Sequence, residues 1–285
     1  MTRVRLGAVS YLNARPCVVG LDGDPRFDLR FDLPARCAEL LHDGSIDVGL
    51  VPSIEYLRGP DGPSQYRIVP DVAIASDGPV ASVALYAKRP ISDVRSIALD
   101  TSSRTSIALT RVLSARVWHI DPVLEPLGPD LPAMLDRCDA ALLIGDAALF
   151  ADHEKDRLPP EKRGPQDPAY THRAGRVEKI DLGSAWTHAT GLPFVYAFWA
   201  GRAAALTSDE VQAVQAARDK GVGDPESVAR EYLTDASQCA IGARYLRDNI
   251  KYRLGDRERA GLETFYQYAS ELGLVPEWDE LRFYR

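Results

Sequence analysis

Small polar side chains, rather than acids or histidines, follow several of the predicted strands. Ser10-Tyr11-Leu12-Asn13 follows the first strand, Pro52-Ser53 follows the third, Ala81-Ser82-Val83 lies where the chain leaves the first sheet, and Thr101-Ser102-Ser103-Arg104-Thr105-Ser106 opens a helix. Each of these segments alone could equally be a helix cap or a turn. Because the carboxyl ends of parallel strands meet at one edge of a sheet, we expect them together to form a polar cleft.

The hydroxyl-rich segment 101–106 has a further electrostatic property. A helix N-terminus presents free backbone N–H groups and about half a positive charge, which together favour a bound anion such as a carboxylate. Arg104 lies in the same first turn, where a cation opposes the helix dipole unless an anion lies close by or the side chain points to solvent. Solvent exposure and ligand contact are equally good interpretations of Arg104.

The usual catalytic motifs are missing from the sequence. None of the five histidines lies in the polar segments, and there is no His-x-x-x-His pair, Gly-x-Ser-x-Gly elbow, Walker lysine or Gly-x-Gly-x-x-Gly fingerprint. Each histidine is interpreted as a surface or loop residue. Glu55 and Asp146 follow strand ends, but acids are expected in first helical turns for electrostatic reasons, so a structural role comes first for both. The sequence predicts cofactor-free chemistry or plain binding, with no metal.

Composition indicates a globular protein with two lobes. The chain has 285 residues, of which 45% are hydrophobic and 26% charged. A net charge of −7 argues against a nucleic-acid partner. No apolar stretch approaches the roughly 20 residues of a membrane span, and the N-terminus lacks a signal peptide, so we expect no membrane partner and a cytoplasmic location. The four cysteines are far apart and are interpreted as reduced.

The elements that must position the polar segments follow a βαβ rhythm in the first half of the chain. Strands are predicted at residues 3–9, 27–33, 46–51, 80–88 and 96–100, and helices at 35–43 and 102–115. A strand and a helix then follow through residue 150. A polar, proline-rich excursion covers residues 152–176, and we expect it to point outward rather than to form a lid.

The remainder contains one strand and a helical C-terminal part. Aromatic and aliphatic side chains alternate in residues 194–200, as they would in a buried strand. Everything after Thr207 is predicted helical, with N-caps at Ser208 and Asp224. Large apolar and tyrosine side chains recur there at helical spacing and predict a packing stripe. A strand leaving near Val80 and one returning near Phe194 make two crossovers. They predict a discontinuous first lobe, residues 1–86 and 197–285, and an inserted second lobe, residues 87–196.

Five sequence segments occur in a fixed order. They are Ser10-Tyr11-Leu12-Asn13 with Pro16 close behind, 47–53 (Asp-Val-Gly-Leu-Val-Pro-Ser), 100–106 (Asp-Thr-Ser-Ser-Arg-Thr-Ser), 144–149 (Ile-Gly-Asp-Ala-Ala-Leu) and 191–195 (Gly-Leu-Pro-Phe-Val). Together they resemble the chorismate dehydratase family of the futalosine route to menaquinone. That family is similar in fold to type II periplasmic solute-binding proteins. The resemblance therefore implies an α/β, two-lobed fold with two crossovers and an α-helical C-terminal part.

The resemblance also implies a reaction and a set of site residues. Chorismate would lose water to give 3-[(1-carboxyvinyl)oxy]benzoate without metal or organic cofactor. By their place in the motifs, Asn13 and Ser82 are implied to be catalytic, and hydroxyls of the 101–106 segment to hold a carboxylate. The expected substrate-binding residues are Ser10, Tyr11, Ser53, Ser102, Ser103, Arg104, Thr105, Ser106, Gly145 and Asp146.

Two other functions stay open at this point. The first is a solute-binding protein for a small carboxylate, against which the missing export signal argues. The second is the sibling 1,4-dihydroxy-6-naphthoate synthase, which is expected to use a histidine base in its cleft. No histidine lies in the five segments, so a histidine on the cleft floor would be needed to favour the sibling enzyme.

Overall fold

The computed structural model describes residues 3–60, 62, 65–151 and 177–285 and contains two mixed sheets with helices around them. In the first sheet the order is β2-β1-β3-β11-β4, and β5 also pairs with β11. Its strands are β1 Val4–Val9, β2 Phe27–Asp32, β3 Val48–Pro52, β4 Tyr66–Ile68, β5 Ile74–Ser76 and β11 Phe194–Arg202. The strands β1, β2 and β3 are parallel, whereas β11 runs antiparallel to β3 and β4.

All strands of the second sheet lie between β5 and β11 in the chain. They are β6 Val83–Ala87, β7 Ser96–Asp100, β8 Val123–Leu127, β9 Ala140–Ile144 and β10 Glu178–Asp181, in the order β10-β6-β9-β7-β8. The chain thus leaves the first sheet once and returns to it once, which is the predicted two-crossover layout. We call the parts built on the two sheets the first and second lobes. The predicted boundaries at 86/87 and 196/197 stay a prediction.

Local sequence signals explain where several helices begin and end. Helix α1, Pro34–Asp43, has proline in its first turn and ends at Gly44, whose φ of 80° is readily adopted only without a Cβ. Helix α2, Arg104–Leu113, is capped by Ser103, whose side chain accepts the Ser106 N–H, and continues into one π-helical turn, Ser114–Trp118. The remaining α-helices of the described residues are α3 Leu131–Arg137, α4 Gly145–Leu149, α5 Leu182–Thr190, α6 Ser208–Gly223, α7 Pro225–Tyr232, α8 Ala236–Asp248 and α9 Asp256–Glu271.

Three local predictions were wrong. The chain after Thr207 is not helical throughout, because α9 ends at Glu271 and residues 272–285 contain no helix. The cap of α6 is Thr207 rather than Ser208, because Thr207 and Glu210 form a reciprocal capping box. The strand predicted at 80–88 is shorter and begins at Val83, because Ala81 adopts a left-handed φ of 63° that ends any extended run. Ser82 therefore lies in a turn before β6 and not within the strand. The predicted excursion at 152–176 lies outside the described residues.

The helical C-terminal part packs on the first lobe. Phe265 and Tyr266 of α9 and Tyr245 and Leu246 of α8 are buried as the predicted stripe requires. Helix α6 lies directly on the backbone of the 3-10 turn Leu12–Val18: a Cβ on Gly221 would come within 2.4 Å of the Cα and carbonyl oxygen of Pro16. This close approach fixes the turn that carries Asn13.

Candidate active site

A small cavity lies between the lobes at the ends of β1, β3 and β9. Its polar lining comes from Tyr11, Asn13, Ser103, Ser106 and Tyr196, and its volume is about 40 Å³. Pockets that hold small molecules usually measure roughly 300 to 1,000 Å³. The lobes are therefore closed on each other in this structure.

A larger depression of about 570 Å³ lies on the outer side of α9. It is open to solvent and is lined by residues 260–278 of the C-terminal part, including Glu263, Glu271 and Trp278. No predicted site residue lines it, although all of them are described. We therefore place the site in the smaller cavity between the lobes, where both sheets contribute.

The structure brings five of the predicted site residues to the cavity wall. They are Tyr11, Asn13, Ser103, Ser106 and Gly145. The others lie outside this lining: Ser10, Ser53, Ser82, Ser102, Arg104, Thr105 and Asp146. Most of these contact a residue of the wall or join the lobes.

Tyr11 crosses from the first lobe to the second. Its hydroxyl donates to Ser102 Oγ at 2.9 Å, and Ser102 Oγ in turn donates to Asp100 Oδ1 at 2.5 Å. Burial raises the pKa of Tyr11, so the phenol keeps its proton and acts as the donor. The ring lies on Gly145, whose φ is 58°; a Cβ there would stand 2.9 Å from the Tyr11 ring.

Asp146 makes a second connection between the lobes. Its Oδ1 accepts the Leu12 N–H at 3.2 Å, and its Oδ2 accepts the hydroxyl of Tyr232 from α7. Burial raises the pKa of Asp146 in spite of these bonds. Both oxygens of the Asp146 carboxylate are thus hydrogen-bonded by donors of the first lobe, which agrees with the structural role that the sequence analysis put first. Tyr232 was missed because it belongs to the helical stripe, where the sequence shows only its apolar ring.

The N-terminus of α2 faces the cavity through two serines. Ser103 Oγ lies 3.0 Å from Ser106 Oγ and accepts the Ser106 N–H. The buried Ser53 and Thr105 do not reach the cavity: Ser53 Oγ donates to Val195 O at 2.8 Å, and Thr105 Oγ1 accepts the Ile54 N–H at 3.2 Å. Their hydroxyls are committed to backbone groups, which is a structural role that sequence position alone does not reveal.

Arg104 is neither free in solvent nor part of the cavity wall. Its guanidinium bonds Glu55 Oε2 and Glu39 Oε1, each at 2.8 Å. Glu55 is 2% exposed and also bonds His42 at 3.2 Å and Arg58 at 3.2 Å. This cluster neutralises the cation in the first turn of α2 and ties that turn to the first lobe. His42 is therefore half-buried and paired, and not the surface histidine that the sequence predicts.

Replacing Glu55 by glutamine is expected to destabilise the protein at neutral pH by about 2 kcal/mol, because it leaves three cationic or hydrogen-bonding partners without their shared carboxylate. Burial would raise the pKa of Glu55, but His42, Arg104 and Arg58 outweigh it and hold that pKa below its usual 4.5. A depressed pKa means that this stabilisation is complete above pH 4.5 and is lost as the pH falls below it.

The measurement is urea unfolding of both proteins between about pH 3.5 and pH 7. The difference in unfolding free energy is expected to shrink toward the acidic end. Glu39→Gln is the matched control, because Glu39 contacts the same Arg104 at the exposed end of the cluster and should have little effect. A difference that is constant over this range would contradict the assignment.

Asn13 and Ser82 both lie next to the hydroxyl of Tyr245. Ser82 Oγ lies 2.6 Å from that hydroxyl, and the Asn13 side chain is near enough to it to lower the pKa of Tyr245, although burial raises that pKa overall. The Tyr252 hydroxyl donates to the Asn13 carbonyl oxygen at 3.0 Å. Asp181 fixes the turn before Ser82 by accepting the N–H groups of residues 80 and 81. The two residues implied to be catalytic are thus neighbours beside the cavity.

These features define a class of protein. Two α/β lobes with two crossovers and a polar cavity between them form a periplasmic-binding-protein-like fold. The sulphonate-binding protein SsuA of Escherichia coli matches 97% of this chain and 94% of its own, with a TM-score of 0.63 and 16% identity. A structural-genomics protein from Archaeoglobus fulgidus matches 96% of this chain and 98% of its own, with a TM-score of 0.69 and 16% identity.

Sequence comparison then gives the family. The profile of the family described as menaquinone biosynthesis matches residues 4–271, and the chain belongs to that family. The chorismate dehydratase of Thermus thermophilus is 33% identical over 273 residues, which cover 94% of this chain and 95% of that protein. These findings confirm the resemblance and the fold class. Within the described residues, no helix is long and apolar enough to cross a bilayer.

Proposed function

We propose that this protein is a lyase that dehydrates chorismate to 3-[(1-carboxyvinyl)oxy]benzoate. The observation that carries the proposal is the meeting of Asn13 and Ser82 at the Tyr245 hydroxyl beside the cavity. The relationship to a chorismate dehydratase supports it. The expectations of a cytoplasmic location, of no nucleic-acid partner and of no cofactor stay part of this proposal.

The cavity wall suits a reaction that needs positioning more than a strong base. Elimination removes a ring proton and a neighbouring hydroxyl and leaves an aromatic ring, so the reaction is strongly downhill. Of the described residues that form the wall, only tyrosines titrate, and burial raises the pKa of Tyr11 and Tyr196. We infer that the enolpyruvyl carboxylate of the substrate takes the ring proton. The carboxyl group would then pass this proton to the departing hydroxyl, which leaves as water, while Asn13 and Ser82 hydrogen-bond that hydroxyl.

A second substrate carboxylate would bind at the N-terminus of α2. Ser103 and Ser106 present hydroxyls to the cavity there, and the helix dipole favours an anion. Because Arg104 is neutralised by Glu55 and Glu39, the dipole rather than an arginine would attract the anion. Ser102 contributes to the site only through Tyr11, because its Oγ accepts the hydrogen bond that the Tyr11 hydroxyl donates.

The lobes must separate to admit such a substrate. A cavity of about 40 Å³ is far smaller than the roughly 300 to 1,000 Å³ of pockets that hold small molecules, so it cannot hold a ring with two carboxylates. The contacts of Tyr11 and Asp146 would break on opening and form again around the substrate. Closure would exclude water from the reacting groups.

The test is incubation of the purified protein with chorismate, with mass spectrometry and proton NMR of the products. We expect loss of chorismate and appearance of the enolpyruvyl benzoate. Unchanged chorismate with a raised melting temperature would favour a solute-binding protein instead. Formation of 1,4-dihydroxy-6-naphthoate would favour the sibling naphthoate synthase, although no histidine is among the described residues of the cavity wall.

A further inference from the structure

Tyr245 reaches the cavity region from the helical C-terminal part of the chain. It lies on α8, is 3% exposed, and packs within the helical stripe. Its hydroxyl points away from that stripe and lies 2.6 Å from Ser82 Oγ. The Asn13 side chain is near enough to the same hydroxyl to act on its pKa.

A buried hydroxyl must find hydrogen-bond partners inside the protein. The Tyr245 hydroxyl bonds Ser82 and lies next to Asn13, and these are the two side chains to which the proposed function assigns the chemistry. We propose that Tyr245 is a positioning residue, which fixes the orientation of the Asn13 carboxamide and directs the Ser82 hydroxyl toward the substrate. This inference rests on the proposed function and adds to it a residue from a third part of the chain.

The order of donors follows from what each group can do. The Tyr245 phenol has one proton to give, and burial raises its pKa, so it keeps that proton. When the Asn13 amide nitrogen donates to the phenol oxygen, the phenol proton is available for Ser82 Oγ. The Ser82 proton then points away from Tyr245, toward the departing hydroxyl. A chain of this kind also strengthens its last donor, because each hydrogen bond polarises the next.

The surrounding contacts leave this arrangement little freedom. Tyr252 holds the carbonyl of Asn13 and Asp181 holds the turn before Ser82, so both backbones are fixed independently of Tyr245. Loss of the Tyr245 hydroxyl should therefore free the two side chains without moving their backbones. The expected defect is in the chemical step and not in the binding of chorismate.

The experiment is steady-state kinetics of Tyr245→Phe with chorismate, in the full-length protein. We expect kcat to fall by about 10-fold or more with KM little changed, because a preorganised donor is lost only from the transition state. In a Ser82→Ala background, the same substitution should cause a clearly smaller loss than in the wild type, because Tyr245 can then act only through Asn13. Tyr86→Phe is the matched control: it removes another buried hydroxyl, which donates to Ala148 O, and should retain wild-type kcat.

All variants are assayed well below their melting temperatures, so that a destabilised variant is still folded during the measurement. Wild-type kcat in Tyr245→Phe, or a loss that multiplies fully with that of Ser82→Ala, would overturn the positioning role. A wild-type protein that leaves chorismate unchanged would overturn the proposed function itself, and the positioning role with it.

Discussion

Replacing Asn13 by alanine is expected to lower kcat at least about 100-fold, which is the usual cost of one preorganised donor in an active site. KM should change far less, because one substrate carboxylate would be held elsewhere, at the N-terminus of α2. Asn13 belongs to a 3-10 turn that α6 and Tyr252 hold by its backbone, so the shortened side chain should not disturb the fold. The measurement is the initial rate of chorismate loss over a range of substrate concentrations.

Ser82→Ala is expected to give a loss of similar size for the same reason. The matched control is Thr110→Val, which removes a buried hydroxyl that donates to Ser106 O within α2 and keeps the side-chain volume. This control should lose some stability but retain most of its kcat. Full activity in both Asn13→Ala and Ser82→Ala would show that these residues do not take part in the reaction.

Replacing Gly145 by alanine is expected to impair closure of the lobes. The new Cβ would stand 2.9 Å from the Tyr11 ring, which must move by several tenths of an ångström and would weaken its bond to Ser102. Displacements of this order at a reacting centre can cost about 100-fold in rate, and we expect kcat/KM to fall by about 10-fold or more. Small-angle scattering with chorismate should show a larger radius of gyration than the wild type shows.

Alanine at this position is also strained by about 1 kcal/mol independently of Tyr11, because the backbone of Gly145 is left-handed and a residue with a Cβ rarely adopts that conformation. Gly273→Ala is the matched control, because Gly273 has a φ of 66° and no atom within 4 Å of the added Cβ. Gly273→Ala should have a lower melting temperature than the wild type because of the same strain, and it should keep wild-type kcat/KM. Equal kinetics in Gly145→Ala and Gly273→Ala would contradict the role of the Tyr11 contact in closure.

Most of the fold could be predicted because its signals are local. Pro34 and Gly44 mark the ends of α1. The alternation of aromatic and aliphatic side chains in β11 can likewise be recognised from neighbouring residues alone. The turn at Ala81 could not be predicted, since a non-glycine residue with positive φ is held by distant groups, here by Asp181. Without that turn, Ser82 would be interpreted as an ordinary strand residue.

The candidate site was predictable only in part. Ser103 and Thr105 are two positions apart in the same hydroxyl-rich segment, yet one faces the cavity and the other bonds the backbone of Ile54. The rotation of α2 decides this, and it depends on packing between the lobes. Tyr232 and Tyr245 were hidden for another reason: a tyrosine ring fits an apolar stripe as leucine does, and the partner of its hydroxyl belongs to a remote part of the chain.

The position of β11 has a consequence for how the chain folds as it is synthesised. This strand fills the gap between β3 and β4, so the first sheet is incomplete until residue 202 has left the ribosome. The second sheet draws all its strands from residues 83–181 and can pair them earlier. Until β11 arrives, β3 has an open edge in the nascent chain, and such edges promote aggregation. We therefore expect the inserted lobe to fold first and the nascent first lobe to be the part that chaperones protect.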